Sequence, residues 1–201
     1  SLSSFPRPVS AFIFESLPWT LGLLGVSTII SWLLGNLVGV VAGYFHGTRG
    51  ATVLEVVGIL LYPIPYYVLA LVLILLFAYI WPIFPLSTTI RPPALTIILA
   101  GFGWNVLGME ALAYSVREEP FVRFARLKRV PTDEIMVHYV LRNAILPQVT
   151  SLALSLGRIF SGALLTEMLF SYPGLGFLMR TAIGNGDYNM LYGTLTMSII
   201  A

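Results

Sequence analysis

The stretch Arg117–Gln148, REEPFVRFARLKRVPTDEIMVHYVLRNAILPQ, is the one long polar interruption in a chain otherwise made of apolar runs. Of the 11 lysines and arginines in the chain, six lie here: Arg117, Arg123, Arg126, Lys128, Arg129 and Arg142. The segment reads as two short helices. Glu118 and Glu119 put negative charge at the start of the first, and Pro120 suits a first helical turn. Val130-Pro131 ends it, because a residue before proline is pushed out of helical geometry. Thr132 is expected to cap the second, with Asp133 and Glu134 in its first turn. At 100° per residue, Phe121, Phe124 and Ala125 share one side of the first helix, with Arg123 and Arg126 nearly opposite. Such a helix can lie on a membrane surface or in another protein's groove.

Composition defines the class around that stretch. The chain is 57% hydrophobic and 10% charged, with mean hydropathy +0.88, where soluble domains carry about 25% charged residues. An integral membrane protein follows. A net charge of +2, concentrated in one segment, speaks of topology and not of nucleic acid. The absence of cysteine removes disulfides, thiolate ligands and cysteine nucleophiles, and leaves the redox compartment open.

From the N-terminus, residues 1–16 read as an extended extracytoplasmic lead-in carrying Pro6, Arg7 and Pro8. Residues 17–201 form the membrane domain. Leu17–Phe45 is the first span, longer than the roughly 20 residues that cross the hydrocarbon. Gly35, Gly39 and Gly43 recur every fourth residue and offer a side on which another helix can approach closely. His46, in the short turn up to Gly50, stands without a ligand partner nearby in sequence and reads as a solvated loop histidine. Ala51–Ile80 is a second span broken at Tyr62-Pro63-Ile64-Pro65-Tyr66-Tyr67, since two prolines remove backbone donors. The break either bends the helix so that Tyr62, Tyr66 and Tyr67 line a translocation path, or serves packing alone.

Trp81–Pro93, with four prolines, reads as a rigid outer loop. Ala94–Val116 is the third span, carrying Trp104, Asn105 and Glu110. An intramembrane carboxylate is costly, so Glu110 should have a partner and a structural role. Glu55 reads as an interfacial residue. Asn143–Phe170 is the fourth span, with Arg158 near its middle, either lining the path or paired with a carboxylate. Met190–Ala201 begins a fifth. With the basic segment inside, the inner loops hold seven Lys and Arg and the outer ones three, in agreement with the positive-inside rule. The residues 46–50 and 117–142 are then cytoplasmic.

Two segments carry a resemblance. PFVRFARLKRVPTDEIMVHYVLRNAILP is similar to the cytoplasmic EAA loop (117–148 here) of the permease subunits of ATP-binding-cassette importers, above all the oligopeptide, dipeptide and nickel group. The matching positions are Phe121, Val122 and Arg123, then Ala125 and Arg126, then Arg142, Asn143, Ala144 and Pro147. The family usually has glycine about where Arg129 stands, so the turn between the short helices is expected to differ. Glu167-Met168-Leu169-Phe170-Ser171-Tyr172-Pro173-Gly174-Leu175-Gly176 resembles the family's glutamate followed by an aromatic-proline-glycine-leucine-glycine turn at the outer face, and Asp187-Tyr188 the pair that precedes its last span. The resemblance implies an all-α, polytopic helical membrane protein: a type I importer core of about five spans with a cytoplasmic coupling helix. The chain then reads as a fragment of a longer protein.

The same resemblance implies docking on an ATPase through Phe121, Val122, Arg123, Phe124, Ala125, Arg126, Lys128 and Arg129. It places the chain in the cell membrane and implies a second permease subunit, two cytoplasmic ATPases that hold ATP and Mg, and an extracytoplasmic solute-binding protein. Peptides are the implied substrate, with oligosaccharides or nickel as alternatives among relatives. The chain lacks a G-x-x-x-x-G-K-[ST] phosphate loop, an HExxH motif, a paired-carboxylate cluster and a nucleophile elbow, so no enzymatic activity or metal cofactor is expected in it. A secondary transporter or channel using Glu110 and Arg158 is the reading from another class, but the inverted repeat that would favour it is not seen. A purely structural membrane subunit leaves the outer turn and Arg158 without a task.

Overall fold

The computed structural model describes residues 7–80 and 91–200. All its regular elements are helical: α1 (Val9–Tyr44), α2 (Arg49–Leu61), α3 (Tyr66–Ile74), α4 (Arg91–Arg117), α5 (Pro120–Leu127), α6 (Thr132–Glu134), α7 (Arg142–Phe170), α8 (Leu175–Gly184) and α9 (Tyr188–Ile200). Wider π turns continue α3 over Leu75–Ile80 and α6 over Ile135–Leu141. Two helices, α1 and α4, are long and apolar enough to cross a membrane, or up to four spans if the broken pairs Arg49–Leu61 with Tyr66–Phe77 and Thr132–Gly157 with Gly162–Phe170 each count as one.

Three boundaries differ from the sequence reading. Val9–Ser16 are helical, not an extended lead-in, because Pro8 stands just before the helix, where its missing N–H costs nothing. For the same reason α4 begins at Arg91, with Pro92 and Pro93 in its first turn. Residues 171–187, an outer loop by the alternation of spans, contain α8. The rest of the expected outer loop, Trp81–Ile90, lies outside the described residues.

The chain divides into two compact units, one drawn from Ser1–Thr28, Pro65–Ile98 and Leu156–Ala201, the other from Ile29–Ile64 and Leu99–Ser155. In the first, Ile13, Leu23, Leu24, Ile97, Phe160, Ala163, Tyr172 and Leu175 form the core. Gly162 receives the ring of Tyr66, which a Cβ would meet at 2.6 Å. Helix α8 packs on α9, whose first turn is capped by Asp187 Oδ1 accepting from Met190 N at 3.1 Å.

In the second unit the glycine stripe does what its spacing predicts. A Cβ on Gly39 would stand 2.5 Å from Val106 O and 2.7 Å from Met109 Cβ, and Gly35 and Gly43 meet α4 one turn to either side. Backbone-to-backbone approach of this kind is how helices associate where lipid removes the hydrophobic drive. Gly103 on α4 likewise lies against the end of α2, and Gly108 against Gln148 of α7. The Trp32 indole N–H donates to Gln148 O at 3.1 Å, so α1 and α7 are joined by a bond that lipid cannot replace. Towards the basic segment, Val40, Tyr44, Met109, Ala113, Val122, Ala125, Ile135, Val140 and Ala144 make one core.

Candidate functional site

Helix α5 begins where local chemistry dictates. Glu119, extended at ψ 147°, is its N-cap and Pro120 its first residue. Glu118 lies just outside. Its carboxylate accepts from Arg117 Nε at 2.9 Å and from Arg123 Nη2 at 3.3 Å, and the Arg117 bond holds it below the usual carboxylate range. The helix ends in a complete Schellman motif: Val130 N donates to Ala125 O at 3.2 Å and Arg129 N to Arg126 O at 2.9 Å.

Such an ending needs one left-handed residue, and Arg129 supplies it at φ 59°. Glycine enters that left-handed region with ease, whereas a residue with a Cβ seldom does. A left-handed non-glycine residue costs roughly 1–2 kcal/mol. Arg129→Gly is accordingly expected to stabilise the protein by about 1 kcal/mol and raise its melting temperature in detergent, while Arg129→Ala, which keeps the Cβ, leaves it unchanged. Beyond the turn, Pro131 and not Thr132 occupies the N-cap of α6, and the Thr132 side chain makes no capping bond. Proline's fixed φ already sets the extended cap geometry there.

The helix divides its side chains unevenly. Val122 is fully buried and Ala125 is 4% exposed, packed with Ile135 and Val140 of the following π turn. Phe121, Phe124 and Leu127 are 42%, 58% and 81% exposed. Arg123, Arg126, Lys128 and Arg129 are exposed beside them. Two of the eight expected docking residues thus face inward: Val122 and Ala125 hold the helix to its own protein. The remaining surface is an aromatic ridge with a basic margin. Arg126 and Lys128 also stack on Tyr44 and Phe124, 5.4 and 4.6 Å from the ring centres.

At the other motif, the carboxylate of Glu167 is buried and accepts from Gly176 N at 2.8 Å, while Thr20 Oγ1 accepts from Leu175 N at 2.8 Å. Two otherwise orphaned donors of the first turn of α8 are met by side chains from α7 and α1. The turn closes tightly on these groups. A Cβ on Gly174 would collide with the Glu167 carboxylate, and one on Gly176 with the Leu164 carbonyl, besides meeting Glu167 Cβ at 2.9 Å. Ser171, left-handed at φ 52°, ends α7, and Arg180 Nη1 donates to Ser171 Oγ at 2.9 Å and to Met168 O at 3.1 Å. Sequence reasoning matched this motif but gave the carboxylate no role.

The expected path residues separate. Tyr66 is half-buried against the first unit's core, while Tyr67 is exposed. Tyr62 stacks on Trp104 with ring centres 5.2 Å apart, and both line a cavity of about 490 Å³ with Leu107, Gly108, Leu112, Pro147, Gln148 and Ser151. The backbone of Arg158 is helical, but its side chain lies outside the described residues. Glu110 has the expected partner, and it is one that sequence reasoning dismissed: His46 Nδ1 stands 3.5 Å from Glu110 Oε1. Packing of α1 on α4 through the glycine stripe brings the two together.

The chain is similar to known proteins. The profile of the family described as "binding-protein-dependent transport system inner membrane component" matches residues 35–201. The dipeptide transport system permease protein of Escherichia coli K12 is 40% identical over 75 residues, 37% of this chain and 22% of that protein. That of Bacillus subtilis is 29% identical over 180 residues, 85% and 58% of the two chains. The nickel import system permease protein of Staphylococcus aureus is 25% identical over 189 residues, 93% and 57%. The chain spans little more than half the length of the latter two. With a profile match over most of its length, on a helical membrane architecture, the chain belongs to the family of binding-protein-dependent transport system inner membrane components.

Proposed function

We propose that the chain is a permease subunit of an ATP-driven importer and forms, with a second permease, the path by which peptides cross the membrane. Two cytoplasmic ATPases and an extracytoplasmic solute-binding protein complete the assembly, and ATP with Mg is handled on the ATPases. The observation that carries this reading is α5. It is a short helix between long apolar ones, anchored inward by Val122 and Ala125 and presenting Phe121, Phe124 and Leu127 within a basic margin. An aromatic ridge on a firmly held helix suits insertion into a groove of another protein. Closure of the ATPases would push on α5, and its Val122 and Ala125 contacts with the core would pass that displacement to the spans. The 46–50 and 117–142 segments then lie on the cytoplasmic side, and the Tyr62–Trp104 cavity and Arg158 are candidates for the path.

Peptide as the cargo rests on similarity to two dipeptide permeases; the similarity to a nickel permease keeps the metal as the second reading. The test is thermal melting of the solute-binding protein that co-purifies with the full-length permease. A ligand at about 100 times its Kd adds about 2.7 kcal/mol of stability. Di- or oligopeptides are expected to give that shift. A shift with nickel or oligosaccharides alone would overturn the peptide assignment, and failure to recover any ATPase would overturn the importer itself.

A further inference from the structure

The turn after α1, the start of α2 and the inner half of α4 converge on three ligating side chains. One donor atom each from His46, Glu55 and Glu110 lies within 4.8 Å of the others. Glu110 is 7% exposed, Glu55 is half-buried and His46 is open to solvent, so the cluster has a closed floor and an accessible mouth. The charges do not balance. Two carboxylates stand beside one imidazole, and Glu55 forms no ion pair among the described residues. A protonated histidine offsets one negative charge, whereas a divalent cation offsets both.

The histidine is held in place for such a task. Its ring meets Tyr114 edge-on with centres 4.8 Å apart, and its carbonyl accepts from Arg117 Nη1 at 3.5 Å. The same Arg117 nitrogen donates to Tyr44 O at 2.9 Å, fixing the end of α1. Donors around a shared ion at roughly 2.0–2.2 Å lie at most about 4.4 Å from one another. The present spacing closes to that by small rotations of the exposed His46 and half-buried Glu55 side chains. One imidazole nitrogen with two carboxylates suits Zn²⁺, Mn²⁺, Fe²⁺, Co²⁺ or Ni²⁺, whereas Mg²⁺ prefers oxygens alone in a strict octahedron.

We propose that His46, Glu55 and Glu110 form a binding site for a first-row divalent transition-metal ion, which ties the α1–α2 turn and α2 to α4 beside the basic segment. Water completes the coordination from the open side. This inference rests on the geometry of the three side chains and stands whatever the cargo. The test is calorimetric titration of ZnCl2 into the nucleotide-free full-length complex in a background of Mg²⁺. A saturable site is expected whose affinity falls at least tenfold in His46→Ala and in Glu55→Gln and is kept in His138→Ala, which removes the chain's other histidine. Zn²⁺ should also raise the melting temperature, reversibly on chelation, in wild type and not in Glu55→Gln. Glu55, half-buried and without an ion pair, carries the test if His46→Ala does not fold. Equal affinity in Glu55→Gln and wild type, or no saturable Zn²⁺ binding, overturns the proposal.

Discussion

Gly176→Val is expected to leave almost no folded protein in the membrane. The position has no room: a Cβ there collides with the Leu164 carbonyl, a backbone atom that cannot step aside without distorting α7. Overpacking a rigid site costs about 3 kcal/mol, a large part of the 5–15 kcal/mol that holds a typical protein together. The substitution would also push Gly176 N away from Glu167, leaving a buried carboxylate and a buried N–H unmatched. Size-exclusion profiles and melting curves of the full-length protein in detergent are the measurement. Glu167→Gln is the informative companion. It keeps an acceptor oxygen for Gly176 N in nearly the same volume and should fold, whereas Glu167→Ala should resemble Gly176→Val.

Phe124→Asp is expected to separate transport from ATP hydrolysis without unfolding anything. Phe124 is 58% exposed on a helix whose attachment runs through Val122 and Ala125, so an exposed charge there costs the isolated chain little. An aromatic anchor lost from a groove costs about 2 kcal/mol or more, which weakens association roughly 30-fold. Transport by the reconstituted complex should fall accordingly, Phe121→Asp should act in the same direction, and the melting curve should stay in place. Ala125→Asp is also expected to lower transport, but by another route. At 4% exposure it buries a charge without a partner and removes the folded protein itself. Normal transport by Phe124→Asp would mean that the ridge is not the docking surface.

That distinction shows where reading the sequence stopped. Helical periodicity groups Phe121, Phe124 and Ala125 correctly, but it does not say which part of the grouped face meets the protein's own core. Ala125 and Phe121 fall on opposite sides of that line because the core includes the π turn Ile135–Leu141, a local widening without a signature in the sequence. Features fixed by covalent chemistry were legible: Pro120 opening α5, Pro63 and Pro65 breaking the second span, and glycines at every fourth residue giving α1 a face for α4. Features made by distant partners were not. His46 looked solitary because its partner Glu110 and the nearby Glu55 are supplied by other helices, and Glu167 looked like one letter of a motif because the N–H it satisfies becomes buried only when α8 folds back.

The first turn of α8 has a consequence for the order in which this protein can be made. Leu175 N bonds to a hydroxyl 155 residues earlier in the chain, and Gly176 N to a carboxylate nine residues earlier. The Leu175 donor cannot be released from water until Thr20 of α1 stands beside the turn, and a contact closed over so long a loop forms late. During synthesis α8 therefore cannot settle against the bilayer on its own account. Its arrival reports that α1 and α7 have found one another, and a chain in which they have not keeps an unsatisfied, protease-accessible turn for the cell's quality control to find.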